Sequence, residues 1–260
     1  MSTLANARDV LRLLADHPQD LTVTDVAAAL DAPKSSVSRT LSMMADYGFL
    51  DRDATTLAYR PGPLILEAAS HLHGSQDLVA MLGDALVRVV DRTGYTGYLN
   101  LLDGTETLVI RMRQGRGGRL QAYTPEGTRG PAYGTSVGRA ILSRLEDGAV
   151  SQLIGTRLDR AEGSAPRTLP ELLKRLETVR VTGWSLSHGE SVHGVAGVAS
   201  AVLDPTTGRP YGLGIGIPAD ELNDLDPVPL GEAVRDAAHA VGRRIGDPYW
   251  VSFRGGPAAS

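Results

Sequence analysis

The chain has 260 residues, 26 Lys and Arg against 30 Asp and Glu for a formal net charge of −4, and no cysteine. Such a balance argues against a surface coated for nucleic acid or membrane, and the missing thiols remove disulfides, cysteine nucleophiles and cysteine metal sites together. No apolar run approaches the ~18 residues of a membrane span and the start, MSTLANARDV, has no apolar signal core, so the expected location is cytoplasmic, with no membrane partner.

Asn6 to Asp16 reads as a first helix, with Val10, Leu13 and Leu14 as its packing positions. Leu21 to Arg60 then has the order helix, tight turn, helix and β-hairpin, the layout of a winged helix-turn-helix. Thr22 with Asp25 three residues later is a capping-box-like start, and Val26, Ala27 and Leu30 follow at helical spacing. Asp31-Ala32-Pro33 ends that helix. The next helix is expected over Lys34 to Tyr47, with Val37, Leu41 and Met44 on one buried stripe and Ser35, Arg39 and Ser42 opposite, closed by Gly48. Small hydroxyls let such a helix enter a major groove about 12 Å wide, an arginine can bond a guanine edge, and Lys34 near the helix start can reach phosphate. Strands at Leu50 to Arg52 and Leu57 to Arg60 would form the wing, placing Arg52 and Arg60 on the DNA backbone. Residues 1–62 carry six Lys and Arg against eight Asp, an unusual balance for this task. The local placement of Lys34, Arg39, Arg52 and Arg60 outweighs it and predicts salt-sensitive binding that needs a dimer.

Pro61-Gly62-Pro63 follows the wing, and a linker helix is expected over Leu64 to His73. A helix over Asp77 to Arg92 leads to strands at Tyr95 to Leu102 and Thr107 to Met112 around Asp103-Gly104. A glycine-rich loop at 114–118 precedes a strand at Leu120 to Tyr123. Helices are expected at Ser136 to Leu145, Glu146 to Ile154 and Leu169 to Val181, then strands at Gly197 to Leu203 and Gly212 to Ile217, and a last helix at Leu230 to Ile245. Antiparallel hairpins with helices between them make the fold class α+β. The expected domains are 1–62, the winged helix-turn-helix; 63–76, the linker helix; 77–250, an effector-binding and oligomerisation domain; and 251–260, a flexible tail.

With these residues in hand, the chain resembles the IclR family of bacterial transcriptional regulators. The likeness rests on APKSSVSRTLSMMADYGFLDRD and YRPGPLILE in the first half and on GTSVGRAIL, TGWSL, GVAGVASAVLD and GIGIP in the second. It implies a ligand-responsive regulator, dimeric or tetrameric, with a C-terminal GAF-like or PAS-like effector domain and a palindromic double-stranded operator. The positions matching the family's DNA-reading residues are Lys34, Ser35, Ser36, Ser38 and Arg39. Where relatives that bind small α-keto acids carry a cysteine and two serines, this chain has Gly197, Gly214 and Gly216. That exchange predicts fewer hydrogen-bond donors, more space and a larger, flatter ligand, an aromatic acid or derivative. The turn Gly134-Thr135-Ser136, which borders the ligand in relatives, would hold its carboxylate on free N–H groups. Tyr98, Asn100, Tyr133, His188, Glu190 and His193 would add polar contacts.

Other readings compete. Gly134-Thr135-Ser136-Val137-Gly138 matches the G-x-S-x-G pattern of serine hydrolases, yet that motif needs a preceding strand in a mostly parallel sheet. His188, Glu190 and His193 lack the two-histidine helical spacing of a zinc protease, so no metal is expected. Gly212-x-Gly214-x-Gly216 is followed by Pro218 where a dinucleotide fold begins a helix, so no cofactor is expected either. A head that recruits proteins would more often show an apolar anchor on its outer helix face.

Overall fold

The computed structural model describes residues 3–17, 19–70, 73–116, 123–156, 158 and 163–254, and the chain divides into two compact units, residues 1–73 and 74–260. Among the described residues no helix is long and apolar enough to cross a membrane.

The first unit contains α1 (Thr3–Asp16), α2 (Val23–Ala29), α3 (Lys34–Asp46), β1 (Leu50–Arg52), β2 (Tyr59–Pro61) and α4 (Pro63–Ser70). The start of α2 is the capping box read from the sequence: the Asp25 N–H donates to the Thr22 hydroxyl at 3.3 Å, and the Thr22 N–H donates to the Asp25 carboxylate at 2.8 Å. Hydrogen bonds from the Thr22 hydroxyl, and then from its N–H, hold the Asp25 carboxyl below the usual carboxylate range. Val10, Leu14, Val26, Val37, Leu41, Met44 and Tyr59 share one core, so three helices and the wing bury the apolar stripe of α3. The second wing strand starts at Tyr59 rather than Leu57. Asp53 accepts the N–H groups of Thr55 and Thr56 in the turn, and Leu57 sits at φ +59°, a left-handed backbone that no strand accommodates.

The second unit opens with α5 (His73–Thr93), which begins earlier than the apolar pattern predicts. Its strands are β3 (Thr96–Asp103), β4 (Glu106–Arg113), β5 (Arg129–Pro131), β6 (Ser185–His188), β7 (Val195–Leu203) and β8 (Pro210–Pro218). They form one antiparallel sheet in the order β5-β4-β3-β8-β7-β6. A 3-10 turn at Ala132–Gly134 leads into α6 (Ser136–Leu142), followed by α7 (Asp147–Ile154), α8 (Leu169–Thr182), α9 (Ala219–Asn223), α10 (Val228–Ile245) and α11 (Pro248–Ser252). Helix α6 ends three residues short of the expected Leu145, and α11 occupies the start of the expected tail. The expected strand at 120–123 and the tail at 255–260 lie, apart from Tyr123, outside the described residues. Strands β5 and β6, three and four residues long, had not been anticipated.

Both faces of the sheet are covered, which is why β7 and β8 are buried along almost their whole length. Leu99, Val198, Val202, Leu213 and Ile215 point to one side and pack with Leu82, Leu86 and Val89 of α5 and Val234 and Ala238 of α10. The alternate positions face α6, whose Ala140 and Ile141 pack on Ala199 and Ala201. A short helix does follow Pro218, but the β8 glycines lie inside the sheet and not at a helix start, so no dinucleotide turn exists there. Trp250 of α11 is buried, and its indole N–H donates to Ala201 O at 2.8 Å.

Packing of Trp250 sets opposite outcomes for two helical glycines. A Cβ at Gly242 of α10 would stand 2.1 Å from the Trp250 ring, whereas a Cβ at Gly83 of α5 meets nothing within 4 Å. Helix propensity alone favours alanine at both by up to about 1 kcal/mol. Gly83→Ala should raise stability by about 0.5–1 kcal/mol and Gly242→Ala should lower it by about 1–3 kcal/mol through overpacking, both read from equilibrium urea unfolding.

Candidate functional site

In the first unit, Lys34, Ser35, Ser36, Ser38, Arg39 and Ser42 are all exposed on α3, while Val37, Leu41 and Met44 are buried beneath them. The helix starts after Pro33 with no side-chain cap, so the N–H groups of Lys34 and Ser35 have no acceptor within the helix. No acidic residue lies in its first turn. Among the described residues, Lys34 and Arg39 form no ion pair, leaving both charges available. Four of the eight aspartates of residues 1–62 are engaged elsewhere: Asp25 caps α2, Asp53 closes the wing turn, Asp9 pairs with Arg8 and Asp51 with Arg60. That last pair revises the expectation for the wing. The Arg60 guanidinium sits 2.6 Å from the Asp51 carboxylate, so its charge is already balanced, while Arg52 is exposed and leans over the Tyr59 ring at 5.4 Å.

In the second unit, the α6 face of the sheet borders a cavity of about 150 Å³. Seven of the expected effector residues line it: Tyr98, Asn100, Thr135, Ser136, Gly197, Gly214 and Gly216. Their convergence follows from register. Tyr98 is paired with Gly214 and Asn100 with Gly212, while Gly216 pairs with Gly197, so alternate positions of β3, β8 and β7 form one floor. Thr107, Thr124, Thr128, Ser187 and Ser191 also line it and had not been singled out; only the three-dimensional return of β4, β5 and β6 brings them there. Arg129 is the one charged lining residue among those described, held by Asp103 at 2.5 Å and Glu106 at 3.7 Å. Burial holds the Tyr98 hydroxyl above the ordinary phenol range against the opposing effect of hydrogen bonds with Thr124, which keeps that wall uncharged at neutral pH.

The glycines do not simply open space. A Cβ at Gly214 would lie 2.7 Å from Val198 O, and one at Gly197 would lie 2.8 Å from the Ser136 hydroxyl. At Gly212 it would meet Val137 at 2.6 Å, so this glycine is where α6 sits down on the sheet. Close approach of neighbouring elements therefore takes up part of the room that missing side chains would leave. The expected loss of hydrogen-bonding groups is also corrected, since threonines and serines supply polar lining from other strands.

Five expected contacts stand away from the cavity wall. Tyr133 is buried in the core with Leu142, Leu172 and Leu176, and Gly134 is buried beside it. His188 is exposed and shares a hydrogen bond of 3.0 Å with Asn223, and His193 is exposed. Glu190 has a different role from ligand contact. Its carboxylate lies 2.5 Å from Arg139 and 3.1 Å from Arg175, with the Ser164 hydroxyl donating to it at 3.1 Å. Arg139 also donates to Tyr133 O and Leu186 O. Its side chain is 1 % exposed, and burial draws its pKa down while Glu190 opposes that shift. This buried pair ties α6, and with it Thr135 and Ser136, to the loop after β6. Arg139 carries no local sequence signal of this role, because its partner is 51 positions away.

Ser136 follows a 3-10 turn and not a strand, and the sheet beside it is antiparallel throughout, so the geometry of a serine-hydrolase nucleophile is missing. The Thr135 hydroxyl accepts the Gly138 N–H at 3.0 Å, capping α6, while the N–H groups of Ser136 and Val137 have no acceptor within the helix.

Residues 70–243 match the family model of the bacterial transcriptional regulator IclR C-terminal domain, and residues 3–54 match that of the IclR helix-turn-helix domain. The HTH-type transcriptional repressor AllR of Salmonella typhimurium is 26 % identical over 238 residues, covering 91 % of this chain and 87 % of its own. The HTH-type transcriptional regulator BhcR of Paracoccus denitrificans is 26 % identical over 236 residues, covering 90 % and 84 %. Among solved structures, an IclR homologue from Microbacterium hydrocarbonoxydans complexed with 4-hydroxybenzoate superposes with a TM-score of 0.76 at 20 % identity, over 94 % of this chain and 99 % of that one. At that identity the likeness is one of fold.

Removing one member of the buried ion pair leaves its partner uncompensated in a dry interior. Glu190→Gln should lower stability by about 3–5 kcal/mol, whereas Glu232→Gln, which breaks a pair with Arg235 at a half-exposed carboxylate, should change it by less than about 1 kcal/mol. Urea unfolding of the two variants side by side checks the contrast.

Proposed function

The chain belongs to the IclR family of bacterial transcriptional regulators, and on that footing we propose that α3 reads a palindromic operator as part of a dimer or tetramer, with affinity set by a small aromatic acid bound in the C-terminal cavity. The observation that carries the DNA reading is the division of α3 into a buried Val37-Leu41-Met44 stripe and an exposed face of Lys34, Arg39 and small hydroxyls. Ser35, Ser36, Ser38 and Ser42 keep that face low enough to enter a groove, and Arg39 offers a two-pronged donor to a guanine edge. Lys34 and the uncapped N–H groups at the helix start suit phosphate, and Arg52 suits the backbone beside the wing.

For the effector, support comes from the cavity itself: Tyr98 forms one wall, the bare glycine positions of β8 form a flat floor, and no carboxylate lines it among the described residues. The N–H groups of Ser136 and Val137 at the start of α6 favour an anionic ligand over a cationic one, since Arg129 is already paired with Asp103 and Glu106. A relative of the same fold in complex with 4-hydroxybenzoate agrees with this chemistry. Coupling between the two sites of ~1–3 kcal/mol would change operator occupancy by roughly five- to 150-fold.

Salt-titrated anisotropy of the full-length protein on its own promoter region, with and without a panel of aromatic acids, tests both parts. Arg39→Ala should weaken specific binding by about 1–3 kcal/mol with the fold unchanged. Arg60→Ala should weaken it less than Arg39→Ala and leave the salt dependence nearly as steep, because Asp51 already balances that charge. An Arg39 variant that binds the operator as tightly as the parent would remove α3 as the reading helix. An operator affinity unmoved by every acid that binds the protein would remove the coupling.

A further inference from the structure

Asn100 is a polar residue in the middle of β3, between Leu99 and Leu101 and only 3 % exposed, and its side-chain carbonyl oxygen is buried without a hydrogen-bond partner. Asparagine is disfavoured inside strands, and a buried amide without a partner is destabilising, so local structure does not account for it. Its cross-strand neighbours on the same face, Val109 of β4 and Gly212 of β8, have no side-chain group to offer. The pairing of β3 with β4 slips at this point: Leu99 faces Arg111 and Asn100 faces Val109, a bulge that leaves Ile110 unmatched. Bulges re-aim side chains and recur beside functional sites. Here the re-aimed pair, Asn100 and Val109, both line the cavity.

We propose that Asn100 is the residue that determines ligand specificity, and that the effector carries, besides its acid group, an uncharged hydrogen-bonding substituent on the ring, such as a hydroxyl or amine, which pairs with the Asn100 amide. The inference rests on the aromatic-acid reading of the cavity. A ligand that presents a bare ring edge to Asn100 leaves its buried carbonyl oxygen unpaired, whereas a hydroxyl or amine supplies the missing hydrogen bond. A site holding a buried polar group discriminates against the analogue that leaves it unpaired far more strongly than an apolar site discriminates by size. Tyr98 is a less suitable selector because its hydroxyl is engaged with Thr124.

Isothermal titration of the full-length protein with benzoate, 3-hydroxybenzoate, 4-hydroxybenzoate and 4-aminobenzoate, repeated on Asn100→Leu, tests this. In the parent at least one substituted acid should bind tenfold or more tightly than benzoate, and in Asn100→Leu that ratio should fall to within about twofold while benzoate binds as well or better. Leucine keeps the branching of asparagine and removes an unpaired polar group but is bulkier, so the melting temperature of the variant is read beside its binding, and the parent's own ratio is informative without it. Equal binding of substituted and unsubstituted acids, or a preference that survives in Asn100→Leu, overturns the role of Asn100 and leaves the aromatic-acid reading standing. Failure of all four acids to bind overturns that reading and the inference with it.

Discussion

One face of β8 carries no side chains at Gly212, Gly214 and Gly216, and the C-terminal unit is organised around that bare strip. Over Gly212 the strip lets Val137 and Ile141 of α6 come down onto the sheet; beyond it, Gly214 and Gly216 leave the floor of a cavity. A helix seated this close has little freedom to shift, and it carries Arg139 into the interior, where only a buried counter-charge makes the guanidinium tolerable. Glu190 supplies it, and in doing so fixes the loop after β6 at the cavity's rim. Close backbone approach, the ion pair and the shape of the cavity are thus linked by one absence of side chains.

How far this was legible depended on the range of the interaction responsible. The capping box at Thr22, the buried stripe of α3 and the hairpin of β3 and β4 are local patterns, set by residues a few positions apart, and each is found within a residue or two of where the pattern places it. Tyr98 and Asn100 share a face by the same period-two rule, but which face met the cavity depended on α6 arriving from a distant stretch. His188, Glu190 and His193 show the limit. Polar residues clustered in a glycine-flanked loop carry no directional signal, and the partner that claims Glu190 lies in another element altogether. Strands β5 and β6 escaped notice because three or four residues at a sheet edge are too few to show a period.

The first unit resolves the apparent conflict between an acidic composition and a DNA-facing helix. Net charge counts every carboxylate equally and ignores where each sits, whereas several here hold the scaffold away from the exposed face of α3: Asp25 at a helix start, Asp53 inside a turn, Asp51 against Arg60. Hydrogen bonds to its backbone and side-chain neighbours keep Asp53 ionised to lower pH than an ordinary carboxylate, as they do Asp25. The field that matters at α3 comes from Lys34, Arg39 and the positive helix start, none of which has an acidic neighbour in the first turn.

The two tryptophans of the chain, Trp184 and Trp250, both belong to the second unit, and neither lines the cavity. Trp250 is nevertheless joined to it, since the carbonyl that accepts its indole N–H belongs to Ala201, on the same strand as Gly197. Tryptophan fluorescence of this protein therefore originates in the second unit alone and has no indole in contact with a bound molecule. A change in emission when the cavity fills reaches Trp250 along β7 and Trp184 along β6, whose Ser187 lines the cavity, which makes the native indoles strain gauges on the sheet and leaves the ligand's own absorbance as the direct optical record of occupancy.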